Sequence, residues 1–228
     1  LSFLAVILSL FFIHPLQAVF PLHKEQINLK NVLHNVREGF SYVSRRPEIM
    51  IILSTSFIVS FFGMNNNVLL PVFVTKVLHM QETSYGFITT CMGVGSFAGA
   101  ILLASKSAKG PKRFHLTFAP LLLGICLIAV GLFNQYLLTL LIYAAVGYFF
   151  VSYAATANTS IQLLVDEEYR SRVMSIYTLV NAGTIPFGSL FTGLVVSGYG
   201  ASSGFIVNGA FIAIIMTLFC LKIYFGKS

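Results

Sequence analysis

The feature that most constrains this chain is the alternation of long charge-free stretches with short basic segments. Four stretches contain no Asp, Glu, Lys or Arg: 49–75, 83–105, 114–165 and 173–221. A helix rises about 1.5 Å per residue and needs about 20 apolar residues to cross the hydrocarbon of a bilayer. The two shorter stretches therefore hold one span each and the two longer stretches hold a helical hairpin each, which predicts six complete spans.

The basic residues predict the orientation of these spans. Of the 14 Lys and Arg residues, all but Lys76 fall in four segments: 24–46, 106–113, 170–172 and 222–227. Basic loops stay cytoplasmic, so we expect both ends of the six-helix unit to face the cytoplasm. The expected location is a cell membrane, and within that class a bacterial inner membrane.

Composition excludes a soluble domain, since 57% of the residues are hydrophobic, 9% are charged and the mean hydropathy is +0.86. The net charge of +7 lies in short loops between spans, where anionic lipid is the natural partner. We therefore expect contact with the lipid bilayer and no nucleic-acid partner.

Three segments follow from the pattern of apolar residues. Residues 1–14 are apolar up to Pro15, and we expect them to be the truncated end of a further membrane helix. Residues 15–47 form a polar connection in which six apolar residues fall at helical spacing, which predicts an amphipathic helix that stops before Pro47. These six are Leu29, Val32, Leu33, Val36, Phe40 and Val43. The predicted helix lies either along the cytoplasmic face of the membrane or, as the alternative, packed on the loops as a soluble helix. Residues 48–228 form the six-helix bundle.

We predict individual spans at about 49–70, 85–105, 115–133, 136–157, 173–196 and 204–221, with a polar extension of the fourth to Leu164. The first and fourth are rich in polar side chains, the second and fifth in small residues, and the third and sixth are apolar all round. A polar side chain is costly in hydrocarbon, so the first and fourth should face the bundle interior or a wet cavity. The GxxxG motif from Gly95 to Gly99 lets two backbones approach closely.

Polar side chains at mid-depth are the candidates for substrate contact. Ser56, Ser60, Gly63 and Asn67 fall at spacings that place them on one helical face. The adjacent amides of residues 65–67 must point in several directions, so at least one should meet water or substrate. The predicted substrate-binding residues are Ser60, Asn66, Asn67, Tyr148, Tyr153, Asn181 and Thr184. The alternative for each hydroxyl is a bond to a backbone carbonyl or to a neighbouring helix. Aromatic and amide groups in an apolar cavity suit a bulky, amphiphilic small molecule as substrate.

Patterns typical of enzymes are missing from the sequence. Cys91, Cys126 and Cys220 lie in apolar segments without CxxC pairing, and no HExxH or similar metal-ligand spacing occurs. The acidic run at 166–168 has no His beside it and is not a catalytic cluster. We expect no catalytic residue, no metal and no cofactor, and hence no enzyme.

Three motifs carry a resemblance to a known family. They are Glu38-Gly-Phe-Ser-Tyr-Val-Ser-Arg-Arg-Pro47, Asp166-Glu-Glu-Tyr-Arg-Ser-Arg-Val-Met-Ser175 and Gly183-Thr-Ile-Pro-Phe-Gly188. Together with the three-helix repeat of polar, small and lipid-like spans, they resemble the C-terminal half of a major facilitator superfamily transporter, of the macrolide-efflux and enterobactin-exporter type. Ser171 stands where that group usually has Gly. The resemblance implies that residues 1–14 end helix six and that the partner is an N-terminal six-helix half.

The resemblance also implies a function. The chain would be half of a secondary active transporter, a proton-driven exporter of drugs or siderophores that works by alternating access. The loop at 106–113 corresponds to a second copy of the family's Gly-x-x-x-Asp-x-x-Gly-Arg motif but has no Asp, and the implied cytoplasmic gate residues are Lys112, Arg113, Arg170 and Arg172. The alternative for Lys112 and Arg113 is that their charges only set the topology. Because no ionisable group lies at mid-membrane in the six spans, the coupling group would belong to the other half. The alternatives are an importer of a small organic solute, a seven-helix receptor and a membrane-embedded enzyme.

Overall fold

The computed structural model describes residues 29–105 and 113–225, with side chains over 36–105 and 114–221. The chain divides into two compact units between Asn35 and Val36, and the second unit contains the membrane helices. The helices are α1 (Leu29–Ser44), α2 (Pro47–Gly63), α3 (Asn66–Lys76), α4 (Thr83–Ser105), α5 (Arg113–Leu132), α6 (Tyr136–Leu164), a short 3₁₀ helix (Glu167–Tyr169), α7 (Arg170–Gly183) and α8 (Ile185–Phe225).

Five helical segments in the described part of the chain are long and apolar enough to cross a membrane: Pro47–Lys76, Thr83–Ser105, Phe114–Leu132, Tyr136–Leu164 and Glu167–Leu221. The last has 55 residues and would be about 80 Å long if it were straight, far more than the roughly 30 Å of bilayer hydrocarbon. It bends at Gly200, whose φ of 83° is a conformation that glycine adopts readily and that is strained for other residues. The bend divides it into two spans, so the described residues contain six spans.

In chain order, the first span is α2 with α3, and the second, third and fourth are α4, α5 and α6. The fifth span is α7 with the part of α8 before Gly200, and the sixth is the part of α8 after Gly200. This all-α membrane architecture confirms the fold class predicted from the sequence. The end of the bundle at which α2 and α7 begin is called the basic end below, after Arg46, Arg170 and Arg172.

The span boundaries differ from the prediction at two places. The first span continues as a helix through Pro71 to Lys76, where the sequence indicated a loop after Leu70. Pro71 has no N–H to donate to the carbonyl of Asn67, yet the helix continues past it, and the Thr75 hydroxyl donates to the carbonyl of Pro71 at 2.9 Å within the following turn. The predicted seven-residue outer turn at 197–203 is a bend at Gly200 between two helical segments.

The spans pack in an order that brings the polar ones to the middle. The second span lies along the fourth, the third packs on the fourth and sixth, and the first contacts the fourth, fifth and sixth. At the GxxxG motif, a Cβ on Gly95 would collide with the carbonyl of Ala144 in the fourth span. Phe73 and Phe205 meet edge to face with their centroids 5.1 Å apart in the core.

Helix α1 covers the segment in which the sequence predicted a helix, and Pro47 begins the next helix in the favoured first position. Its apolar side chains separate into two sets. Gly39 and Val43 are buried, whereas Val36 and Phe40 are exposed. Residues 1–14, and the part of the 15–47 connection before Leu29, lie outside the described residues.

Candidate functional site

The first span is interrupted near its middle. Between α2 and α3, Met64 (φ −98°, ψ 18°) and Asn65 (φ −92°, ψ 22°) leave α-helical geometry. Backbone groups left without partners are costly inside a bilayer. Asn65 offsets part of this cost, because its side-chain Nδ2 donates to the carbonyl of Phe61 at 2.6 Å and its own carbonyl accepts from the backbone N–H of Leu69 at 3.0 Å.

The fifth span has a milder interruption at Thr184, between α7 and α8, where the dihedral angles stay in the right-handed helical region (φ −84°, ψ −21°) and the helical hydrogen bonding is broken. Pro186 has no N–H, so it cannot donate the helical hydrogen bond to the carbonyl of Ala182. The Thr184 hydroxyl donates to the carbonyl of Val180 at 2.7 Å and occupies the turn before the proline. Both interruptions thus combine a backbone irregularity with a short polar side chain.

Two side-chain hydrogen bonds join the interrupted parts of the first and fifth spans. The Ser60 hydroxyl donates to Oδ1 of Asn181 at 2.9 Å. The Ser189 hydroxyl donates to Oδ1 of Asn65 at 3.2 Å. The two spans run in the same direction from the basic end, so these bonds hold the irregular segments against each other, one bond starting just before the first of them and the other from Asn65 within it.

The fourth span is joined to the first by two further groups. The Tyr153 hydroxyl lies 2.9 Å from the Oγ1 atom of Thr55 and 2.9 Å from the Oγ atom of Ser56. The Tyr143 hydroxyl donates to Oδ1 of Asn66 at 3.2 Å. A continuous set of hydroxyls and amides therefore runs through the centre of the bundle, and none of these groups carries a charge.

The seven predicted substrate-binding residues fall into two groups. Ser60 and Tyr153 are only 1% and 2% exposed, and their hydroxyls bond inside the bundle. A substrate could reach neither without separating the spans, so the structure does not support direct contact by these two. The other five have accessible surface: Asn66, Asn67, Tyr148, Asn181 and Thr184.

The single face predicted for the first span is wrong at one position. Ser56, Ser60 and Gly63 are all buried, whereas Asn67, which follows the interruption at 64–65, is exposed. The three adjacent amides do point in different directions. Asn65 is 2% exposed, Asn66 is half-buried and Asn67 is exposed.

Sequence reasoning missed Asn65 and Ser189 as the residues that join the two interrupted spans. The available signal was the coincidence of an Asn run in the first span with a Thr-x-Pro sequence in the fifth. Each is a mark of irregular backbone in a segment that is otherwise apolar. The pairing itself needed the structure, since no sequence period links the two spans.

An open cavity of about 550 Å³ lies against α7, next to the interruption of the fifth span. Its lining combines apolar side chains with two hydroxyls: Met174, Ser175, Thr178, Leu179, Ala182 and Gly183. All six residues belong to α7, and the Ser175 and Thr178 hydroxyls donate to the carbonyls of Ser171 and Met174, so the cavity is an open hollow along one face of this helix. A second cavity of about 400 Å³ lies at the opposite end of the bundle and includes Glu82 and Tyr85.

The predicted gate residues lie in different settings. Arg172 forms an ion pair with Glu38, 2.7 Å between Nη1 and Oε2, and Arg170 is exposed at the start of α7. Lys112 lies outside the described residues, and Arg113 is described only as the first residue of α5. In the part of the chain that the structure describes, no three His, Cys, Asp or Glu residues are grouped as a metal site would require.

Comparison with known families gives one match, and it covers nearly the whole chain. The model of the family MFS_3, described as transmembrane secretion effector, matches residues 1–225. No curated protein and no solved structure matched the chain. With its six apolar spans and its interrupted helices, the chain belongs to the transmembrane secretion effector family of major facilitator transporters and is a multi-pass membrane protein.

Proposed function

We propose that this chain is the C-terminal half of a proton-driven exporter of bulky amphiphilic compounds, such as drugs or siderophores, that works by alternating access. The observation that carries the proposal is the pairing of two interrupted spans by Ser60–Asn181 and Asn65–Ser189. In secondary transporters, substrate sites near the bilayer midplane are built from discontinuous helices. Membership of a transporter family supports the same conclusion and favours a role other than catalysis.

The accessible polar residues beside the interruptions supply the substrate contacts in this proposal. Asn67 is exposed, and Asn66, Asn181 and Thr184 are half-buried near the irregular backbone. Tyr148 is half-buried in the fourth span and adds an aromatic surface. Ser60 and Tyr153 act indirectly, by holding the first span against the fifth and fourth.

The second and fifth spans carry the surfaces that support a second six-helix half as partner. Each presents large apolar side chains at helical spacing that are at least half exposed: Phe87, Val94, Phe97 and Ile101 in the second, and Leu179, Phe187, Leu190 and Leu194 in the fifth. A stripe of this kind in a membrane protein packs against lipid or another helix. The proposal assigns both stripes to the N-terminal half, and the apolar third and sixth spans to lipid.

The proposal assigns the cytoplasmic gate to three of the four basic residues that the sequence suggested. Arg170 is exposed at the basic end and is available to contact the other half. Lys112 and Arg113 stay with it in the proposal because they lie on the same cytoplasmic side by the positive-inside rule. Arg172 already forms an ion pair within the bundle and is therefore assigned a positioning role and not a gating one.

The test uses the full-length protein in a bacterial strain. Deleting its gene should increase susceptibility to at least one compound in a panel of lipophilic drugs and a catecholate siderophore, and a protonophore should abolish efflux of that compound from energised cells. Replacing Asn67 with Ala should weaken this efflux, whereas Asn134→Ala, an exposed asparagine between the third and fourth spans, should leave it intact. Unchanged susceptibility across the whole panel would contradict the proposal.

A further inference from the structure

Residues 38–46, which end α1 and lead into α2, are attached to the basic end of the bundle by two ion pairs. Glu38 Oε2 lies 2.7 Å from Arg172 Nη1 at the start of α7. Arg46 Nη2 lies 2.9 Å from Asp166 Oδ2, just after the end of α6. All four side chains are partly exposed, and ion pairs of this kind stabilise only weakly when they act alone.

Two tyrosines add directional contacts between the same segments. The Tyr42 hydroxyl donates to Asp166 Oδ2 at 2.9 Å and accepts from the backbone N–H of Asp166 at 3.1 Å. The Tyr42 ring stacks on Tyr169 with centroids 4.5 Å apart and planes 14° apart. Arg46 lies 5.2 Å from the centre of the Tyr42 ring, and Arg172 lies 5.5 Å from the centre of the Tyr169 ring. Each of the two stacked rings thus has a guanidinium group over it at cation–π distance.

An apolar contact lies beneath these polar ones. Val43 is 1% exposed and Val173 is fully buried. A Cβ on Gly39 would lie 2.9 Å from Cδ1 of Ile176 and 3.4 Å from Cβ of Arg172, so the backbone of α1 sits directly on α7. A buried apolar core with a polar rim is the usual anatomy of a packed interface, and here both parts lie between the same two segments.

We propose that residues 38–46 and 166–176 form a brace, a permanent contact that keeps the basic ends of the first, fourth and fifth spans together while the protein transports. In this arrangement Arg172 is a positioning residue of the bundle, and residues 38–46 move with the six-helix unit. The inference rests on the proposed alternating-access function only where it states that the two segments do not separate during transport. The contact itself is independent of that function.

The first measurement follows the distance across the brace. Spin labels on Arg45→Cys and Glu168→Cys, two exposed positions, are placed in the full-length protein after Cys91, Cys126 and Cys220 are replaced by Ala. The expected result in lipid vesicles is one narrow distance distribution, the same at pH 5.5 and pH 8 and with or without ethidium as a lipophilic probe. A second, longer distance under any of these conditions would overturn the proposal.

The second measurement locks the contact. Cβ atoms at positions 39 and 172 would lie 3.4 Å apart, near the separation that a disulfide requires. In the same background, Gly39→Cys with Arg172→Cys should give ethidium efflux within twofold between its oxidised and reduced states, with the reduced sample as the matched control. Loss of efflux on oxidation, with recovery on reduction, would show that the segment has to separate from α7. If the protein moves no ethidium in either state, the proposed function fails for this probe, and the distance measurement alone decides on the brace.

Discussion

At the scale of single residues, the centre of the bundle is held by neutral hydrogen bonds. Tyr153 is the clearest example, because its hydroxyl lies 2.9 Å from two hydroxyls of the first span and its side chain is 2% exposed. Hydrogen bonds between membrane helices contribute roughly 0.6 kcal/mol on average and up to about 1.7 kcal/mol. Such bonds fix the position of a span without placing a charge in hydrocarbon.

Tyr153→Phe should therefore lower stability by about 1 kcal/mol, because it leaves Thr55 and Ser56 without the Tyr153 hydroxyl while the ring packing persists. The measurement is the unfolding transition of the full-length protein in detergent micelles. Tyr148→Phe is the matched control, since Tyr148 is half-buried on the same helix. Tyr148→Phe should lower stability less than Tyr153→Phe does and should reduce efflux more. The reverse order would mean that Tyr148 holds the spans together and Tyr153 contacts the substrate.

Adjacent residues in one run can have unrelated roles, as residues 65–67 show. Asn65 bonds the backbone of its own helix and Ser189, Asn66 bonds Tyr143, and Asn67 is exposed. The sequence predicted that three adjacent amides would point in several directions, because successive helical residues are about 100° apart. It did not predict which amide would be buried, since that depends on the break at 64–65 and on the neighbouring fifth span.

At the scale of elements, close contact between spans depends on particular glycines. Two lie near each other on the second span and differ in surroundings. A Cβ on Gly95 would collide with the carbonyl of Ala144, whereas nothing lies within 4 Å of a Cβ on Gly93. A backbone carbonyl cannot rotate away as a flexible side chain can, so the two spans would have to move apart.

Gly95→Ala should accordingly destabilise the protein by roughly 1–3 kcal/mol, the usual cost of overpacking a close contact. Gly93→Ala should be neutral or slightly stabilising, because alanine favours the helix and meets open space. Unfolding of both variants in the same detergent gives the comparison. Equal effects of the two substitutions would mean that the second and fourth spans do not meet at Gly95.

The contact between the two interrupted spans permits the same kind of comparison. A Cβ on Gly188 would collide with the carbonyl of Phe61 in the first span, and a Cβ on Gly193, on the same helix, meets nothing within 4 Å. Gly188→Ala should reduce efflux as well as stability, because it moves Asn65 and Ser189 apart. Gly193→Ala should affect neither. A stable but inactive Gly188→Ala protein would still support a functional contact between the two interrupted spans. Full efflux activity in this variant would contradict that contact.

The existence and order of the spans could be predicted from the sequence because a bilayer excludes charge, and charge-free length is visible directly in the chain. The position of the interruption at Met64 and Asn65 could not, since Gly63 and the Asn run beside it also occur in unbroken helices, and Pro71, the strongest helix breaker in the span, lies inside a helix. The burial of Ser60 and Tyr153 could not be predicted either. A helical face tells which residues share a side, but not which neighbouring span covers that side.

At the scale of the whole molecule, charge and polarity are separated by depth. The described ion pairs, Arg46–Asp166 and Glu38–Arg172, lie at the basic end. The centre contains hydroxyls and amides, and the charge-free stretches of the sequence extend across every span. A bundle built in this way can bind an amphiphilic molecule, but it offers no group at mid-depth that takes up and releases a proton near neutral pH.

This separation leads to a prediction about energy coupling in the full-length protein. Glu48 and Glu82 flank the first span and the start of the second, and both are exposed. Glu48→Gln and Glu82→Gln, singly and together, should leave pH-driven efflux within about twofold of the parent protein, because both carboxylates lie at the ends of spans. The loss of stability should also be small, since an acid in the first turn of α2, as Glu48 is, stabilises the helix by only roughly 0.3–1 kcal/mol. The measurement is probe efflux from vesicles under an imposed pH gradient, with the gradient collapsed by a protonophore as control. Loss of gradient dependence in either variant would place the coupling carboxylate in this chain, and efflux that keeps its gradient dependence would assign it to the other half of the transporter.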